Sequence, residues 1–352
     1  MSAVESYVHF AKQLARTGWY YGLRRITEHQ VSRFEASPVK VRITKNAPTA
    51  RQLLQDVFRF LKDDAALVRQ GLLPSIDNEY DSVFLQLRRI KEMLDDLPDA
   101  HHRRVAKDGK DIAEDMSIGE QSLSNLPDYY VQNFHYQTGG YLTEQSARLY
   151  DLQVETLFLG TSGTMRRQVL KPITEYVQGK AQRNLHMLDV ACGTGRFLAQ
   201  VRQAFPCMPI LGIDLSAAYI KEASRYLSRW RNIDLEVGNA ERLAVPDDSQ
   251  DIVTCIYLFH ELPPQVRRTV VQEMHRVLKP GGLLVFMDSL QYGDNPDYDG
   301  LLEAFPQRFH EPYYRNYLID DLKGILEVHN LYVQSIHNAL LSKVITCLKG
   351  TV

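Results

Sequence analysis

Three groups of residues in this chain have types and spacings that could do chemistry. The first is Asp189-Val190-Ala191-Cys192-Gly193-Thr194-Gly195, between an apolar run and a helical pattern. Small residues there let the backbone turn sharply and come close to a ligand. The N–H groups opening the following helix can meet a negative group. The second is His260-Glu261, just past the end of an apolar run that continues through Tyr257. Both side chains can accept a proton, and both also occur as plain helix-start or core residues. The third is the aromatic segment from Tyr129 to Tyr141, with Gly139-Gly140 as a point where the chain can turn.

These groups need elements to hold them. The second half of the chain alternates short apolar runs with helical patterns, which predicts a parallel sheet with crossover helices. Strands are expected over 186–190, 210–213, 233–237, 252–258 and 283–288, with helices over 196–204, 217–230 and 264–278. Lys279-Pro280-Gly281-Gly282 reads as a connector that stops a helix and turns the chain. Runs over 332–340 and 343–349, separated only by Leu341 and Ser342, read as a hairpin, so one final strand should be antiparallel. The first half reads as helical: 8–26, 49–68 with Thr49 as N-cap, and 80–97 after the capping candidate Asp77, followed by a loop or weak helix over 101–120. The division expected is a helical domain over 1–165 and a sheet domain over 166–352.

Composition narrows the class. With 352 residues, 44% of them apolar, the chain can bury a real core. The net charge of −2 is spread evenly, so no basic block calls for a nucleic-acid partner. Four cysteines, none close to another, give neither zinc-knuckle spacing nor a disulfide framework, and no metal is called for. A reducing, cytoplasmic setting is expected. The start of the chain is not a secretory signal, and no apolar run reaches the length of a membrane span.

From Leu185 to Asp288 the landmarks follow in an order that resembles the class I S-adenosylmethionine-dependent methyltransferases, leaning toward the small-molecule branch that includes quinone-biosynthesis enzymes. The resemblance implies an α/β fold: a seven-stranded Rossmann-like sheet with an antiparallel terminal strand, preceded by a mostly helical N-terminal domain. It implies S-adenosylmethionine as cofactor, held by Asp189, Ala191, Cys192, Gly193 and Gly195 of the loop. Asp214 and Leu215 at the end of the second strand would meet the ribose, and 25 residues (214 − 189) separate the two acids. Asn239 and Ala240 would face the adenine, although the family usually carries Asp where Asn239 stands. Tyr257 would lie beside the cofactor, and Arg166, or Arg167 next to it, could meet the donor's carboxylate. A dehydrogenase is excluded because Leu198 stands where a dinucleotide fingerprint needs its third glycine. The stretch Leu258 to Pro264 also lacks the Pro-Pro-aromatic signature of nucleic-acid amino methylation.

The expected reaction is in-line methyl transfer to an O, N, C or S atom of a small-molecule acceptor. The protein would work mainly by alignment and exclusion of water. His260 and Glu261 are the catalytic candidates. His135, Tyr136 and Tyr141 are the candidate substrate contacts, in a segment that caps the site or glues two domains together. A regulatory protein on the same fold, and a protein methyltransferase, are the alternatives; a homo-oligomer is left open.

Overall fold

The computed structural model describes residues 3–34, 41–75, 82–110, 112 and 123–351. Helices α1 (Ala3–Phe34), α2 (Ala50–Arg69), α3 (Val83–Ala106) and α4 (Glu144–Leu157) fill the first half. Thr49 caps α2 with a full capping box, its hydroxyl accepting the Gln52 N–H while Gln52 reaches back. Ser82 rather than Asp77 caps α3; Asp77 lies outside the described residues. The last turns of α3 take the first six residues of the expected 101–120 loop, up to Lys107 with φ +55°. α1 runs well beyond the 8–26 expected. Its buried stripe, His9, Gln13, Thr17, Tyr20 and Leu23, is polar at its first three positions, so hydrophobic periodicity could not outline it.

After α5 (Ser162–Arg166) and α6 (Leu170–Val177) the sheet begins: β1 (Met187–Val190), α7 (Arg196–Ala204), β2 (Ile210–Asp214), α8 (Ala217–Leu227), β3 (Ile233–Val237), β4 (Gln250–Ile256), α9 (Pro264–Val277) and β5 (Leu278–Ser289). Then come α10 (Asp299–Arg308), α11 (Tyr314–Tyr317), α12 (Leu322–Val328), β6 (Leu331–Ala339) and β7 (Ser342–Lys349). The strand order is β3-β2-β1-β4-β5-β7-β6, with β7 antiparallel to both of its neighbours. Buried residues of α6, α7 and α8 cover one face; those of α9, α11 and α12 cover the other. The expected connector 279–282 is instead absorbed into β5. Leu278 pairs with Gln250 and Leu283 with Ile252, so the Pro-Gly-Gly step is a bulge in a longer strand.

The sheet order reverses between β1 and β4, which opens a crevice at their carboxyl ends. Two buried networks fasten the helical half over it. Asp64 of α2 accepts from Arg167 (3.0 Å) and Gln168 (2.8 Å) and lies 2.7 Å from His9. Asp151 of α4 accepts from the Thr194 hydroxyl (2.9 Å) and the Arg196 Nε (2.7 Å), gripping the turn after β1.

Candidate active site

The crevice holds a cleft of about 880 Å3, mouth included. Ala191 and Gly193 line it from the turn after β1, Asp214 and Leu215 from the end of β2, Asn239 and Ala240 from the end of β3, and Tyr257 and Glu261 from beyond β4. Ala191 and Tyr257, at the ends of the two strands flanking the switch, have φ of +59° and +57°. Such conformations cost a non-glycine residue on the order of 1–3 kcal/mol and cluster at functional sites.

Asp214 organises this floor. One oxygen accepts the Gly193 N–H and the other the Ser216 N–H, each at 2.9 Å. Burial pushes its carboxyl up to about 6, against the pull of those two bonds. Gly193 has φ +58° and open space where a Cβ would stand, so the loop leaves room on its cleft side. Asn239 folds its amide oxygen onto the Glu241 N–H at 2.9 Å, which leaves one lone pair of that oxygen for a ligand.

Other cofactor candidates lie outside this lining. Asp189 is buried in β1, accepts the Thr254 hydroxyl at 2.6 Å, and is raised to about 7 by burial. Cys192 packs into the core. Gly195, at φ +76°, is where a Cβ would strike Leu227 at 2.7 Å, so it serves the packing of α7 on α8. Arg166 is buried in the fields of Glu155, Asp151, Tyr150 and Tyr257, and the two latter tyrosines line the cleft. Arg167 is buried, paired with Asp64, and outside the cleft lining.

The aromatic segment forms the opposite wall. Tyr129, Tyr130, Phe134 and Tyr141 line the cleft, joined by Tyr150 and Tyr219. The segment is tied down where the Ser216 hydroxyl donates to the Tyr141 carbonyl (2.7 Å). A second cavity of about 1280 Å3, mouth included, adjoins the first and shares Tyr141, Tyr150, Tyr257 and Glu261 with it. Leucines and phenylalanines of α2, α4 and α10 wall it, while His135, His260 and Glu261 supply polar atoms. Tyr136 lines neither cavity. Its φ of +60° sends it toward His310, 5.7 Å between ring centres, so it is set aside as a substrate contact.

Two histidines, three carboxylates and a tyrosine cluster where the cavities join. His260 Nδ1 is 2.6 Å from Asp288 Oδ1, and Asp288 also accepts the Phe259 N–H (2.8 Å). Tyr141 donates to Glu261 Oε1 at 2.5 Å, and His135 Nε2 lies 3.0 Å from that hydroxyl. Burial works to lower both imidazoles, but Asp288 and Glu261 lift His260 well above its ordinary value, and Glu311 and Glu261 lift His135 to about 10. Burial raises Glu261, but the two imidazoles more than offset this and hold it low; Glu311 is raised by burial and then by Glu261. Asp288 and Glu311 were not foreseen. Asp288 could have been, since it ends a strand beside the crevice. Glu311 sits in an irregular stretch between α10 and α11, with no local signal.

Residues 187–282 match the family model described as "Methyltransferase domain". Demethylmenaquinone methyltransferase of Lysinibacillus sphaericus is 33% identical over 119 residues, covering 34% of this chain and 50% of that protein. The enzyme of the same name from Deinococcus radiodurans is 35% identical over 144 residues, covering 40% and 55%. The chain thus spans about half the length of these curated relatives. A solved S-adenosylmethionine-dependent methyltransferase from Methanosarcina mazei is 20% identical, with a TM-score of 0.41 and coverage of 51% of this chain and 98% of that one. Residues 187–282 thus match a methyltransferase domain, and part of the chain is similar to demethylmenaquinone methyltransferases.

Proposed function

We propose that the chain transfers a methyl group from S-adenosylmethionine to a small, largely apolar, ring-bearing acceptor with an acidic hydroxyl or ring position. The observation that carries this reading is the pair of adjoining cavities. One has a carboxylate, an open glycine loop and an amide at its floor; the other is walled mostly by apolar side chains, with His135, His260 and Glu261 among its polar groups.

The residues present suit the cofactor. Asp214 keeps lone pairs for two ribose hydroxyls, Gly193 leaves space over the loop, and Asn239 keeps an acceptor site for the adenine amino group. Arg166 is the nearby cation for a carboxylate. When bound, the cofactor supplies a methyl group already activated by its sulfonium. The protein's share is alignment and a dry site. Tyr141, Tyr150 and Tyr257 stand between the cavities, where aromatic faces exclude water and tolerate a cation. His260, held as a cation by Asp288 and Glu261, is the group assigned to orient the acceptor by donating a hydrogen bond that favours its ionised form. In this reading the residues before 166 serve as a cap over the acceptor.

The test is incubation with isotopically labelled methyl donor and a panel of alkyl-substituted phenols and hydroquinones. Label moving to at least one panel member is expected. Donor binding without transfer to any phenol, hydroquinone or added protein would favour a regulatory role and overturn the proposal.

A further inference from the structure

His135, Glu261 and Glu311 stand far apart in sequence, yet each offers an atom to one spot, where His135 and Glu261 line the apolar cavity and Glu311 is buried beside them. One nitrogen of His135 and one carboxylate oxygen from each glutamate all lie within 4.8 Å of one another. The Glu311 side chain is fully buried, and neither of its oxygens has a hydrogen-bond partner; Glu261 Oε2 is likewise buried without one. Buried carboxylate oxygens are costly unless something positive or a donor meets them. His135 Nδ1 is only 3.0 Å from Glu311 Oε1, but the pair lacks the alignment of an N–H···O bond. Two donor atoms at this spacing can also serve as neighbouring ligands of a cation that takes the place of the imidazole proton. The other ring nitrogen faces the Tyr141 hydroxyl at 3.0 Å, and that hydroxyl donates to Glu261. This is the outer support that metal-binding histidines carry, fixing the ring and leaving the opposite nitrogen to ligate.

We infer that His135, Glu261 and Glu311 bind a first-row divalent cation beside the acceptor cavity. One imidazole with two carboxylates suits manganese, iron or zinc better than calcium, which favours an all-oxygen shell. Two carboxylates also neutralise a dication, which matters in a pocket with apolar walls. Three protein ligands leave coordination positions open toward the cavity that His135 and Glu261 line. An acceptor hydroxyl bound there would release its proton to solvent more readily, and the His260 cation would favour the oxyanion left behind. This role for the ion rests on the methyl-transfer reading above; the ion site itself does not. His135 has φ +57°, and a non-glycine residue kept in that conformation turns its ring into the cluster.

The test is metal binding, independent of turnover. The purified protein, stripped with chelator, is titrated with Mn2+ and with Zn2+ by calorimetry, and Mn2+ is followed by electron paramagnetic resonance. One site is expected, with affinity falling at least tenfold in Glu311→Gln and in His135→Asn and unchanged in Glu303→Gln, a surface control. S-adenosylmethionine affinity of Glu311→Gln should match the parent, which shows that the fold is intact. No binding of either ion at millimolar concentration, or binding that survives both substitutions, overturns the site. Metal binding as expected with no methyl transfer to any acceptor would sink the functional reading and leave the ion site standing.

Discussion

Asp214→Asn is the most informative single change at the cofactor cleft. Each Asp214 oxygen already accepts one backbone N–H, from Gly193 and Ser216, and each keeps a lone pair toward the cleft. The amide retains one oxygen and turns an NH2 group on the other N–H. Hydrogen bonds to an ionised group are worth about 1.5–3 kcal/mol. S-adenosylmethionine should therefore bind about 10- to 150-fold more weakly. The carboxyl also carries a pH signature, because burial raises it to about 6. Donated hydrogen bonds from a ligand favour the ionised form, so affinity should fall as pH drops below that value, approaching tenfold per pH unit. The same raised pKa means that the folded, ligand-free protein holds this proton more tightly than the unfolded chain, whose value is about 4. Its contribution to stability is thus greatest at low pH and declines as pH rises from about 4 to about 6. Calorimetric Kd values at three pH values spanning this range, for the parent and the variant, are the assay. Asp189→Asn is the control, since Asp189 is buried beside Thr254 and outside the cleft lining. An unchanged Kd in Asp214→Asn, or a pH dependence that persists in it, would refute the assignment.

The other predictions concern stability and turnover. Asp64→Ala leaves Arg167 buried without its carboxylate and should cost about 3–5 kcal/mol in urea unfolding; a loss under ~1 kcal/mol would show that the network is not what fastens the helical half. Gly195→Ala puts a Cβ against Leu227 at a positive φ and should lower the melting temperature, whereas Gly193→Ala, with open space around it, should reduce cofactor affinity more than stability; the reverse ranking would contradict the roles given to the two glycines. His260→Gln should lower turnover with cofactor affinity nearly constant, and equal turnover would leave catalysis to positioning alone. Tyr141→Phe removes the donor to Glu261 and should alter turnover or acceptor affinity with little change in melting temperature; a pure loss of stability would make Tyr141 glue between the two halves.

The amino-acid sequence alone determined the sheet. Its central strands β1, β4 and β5 carry apolar runs because both faces are covered, and its turns are marked by glycine, proline and acid residues whose spacing is local. The loop after β1 and the acid ending β2 were legible for the same reason: backbone approach and hydrogen bonding there depend on neighbours in the chain. Helix α1 was only half legible, because the face it buries begins with His9, Gln13 and Thr17 and its partners lie on other elements. Within the loop, sequence could not separate Gly193, which leaves space over the cleft, from Gly195, which is held against Leu227. That distinction depends on which helix packs above. Tertiary structure alone decided the second cavity and the cluster beside it. Tyr136 and Tyr141 share one aromatic segment, but backbone conformation turns the first toward His310 and the second onto Glu261. Glu311 stands 176 positions (311 − 135) after His135, so no spacing rule could pair them. Ligand geometry depends on distances in space, and those were set only once α4, α10 and the end of β4 had packed around one cavity.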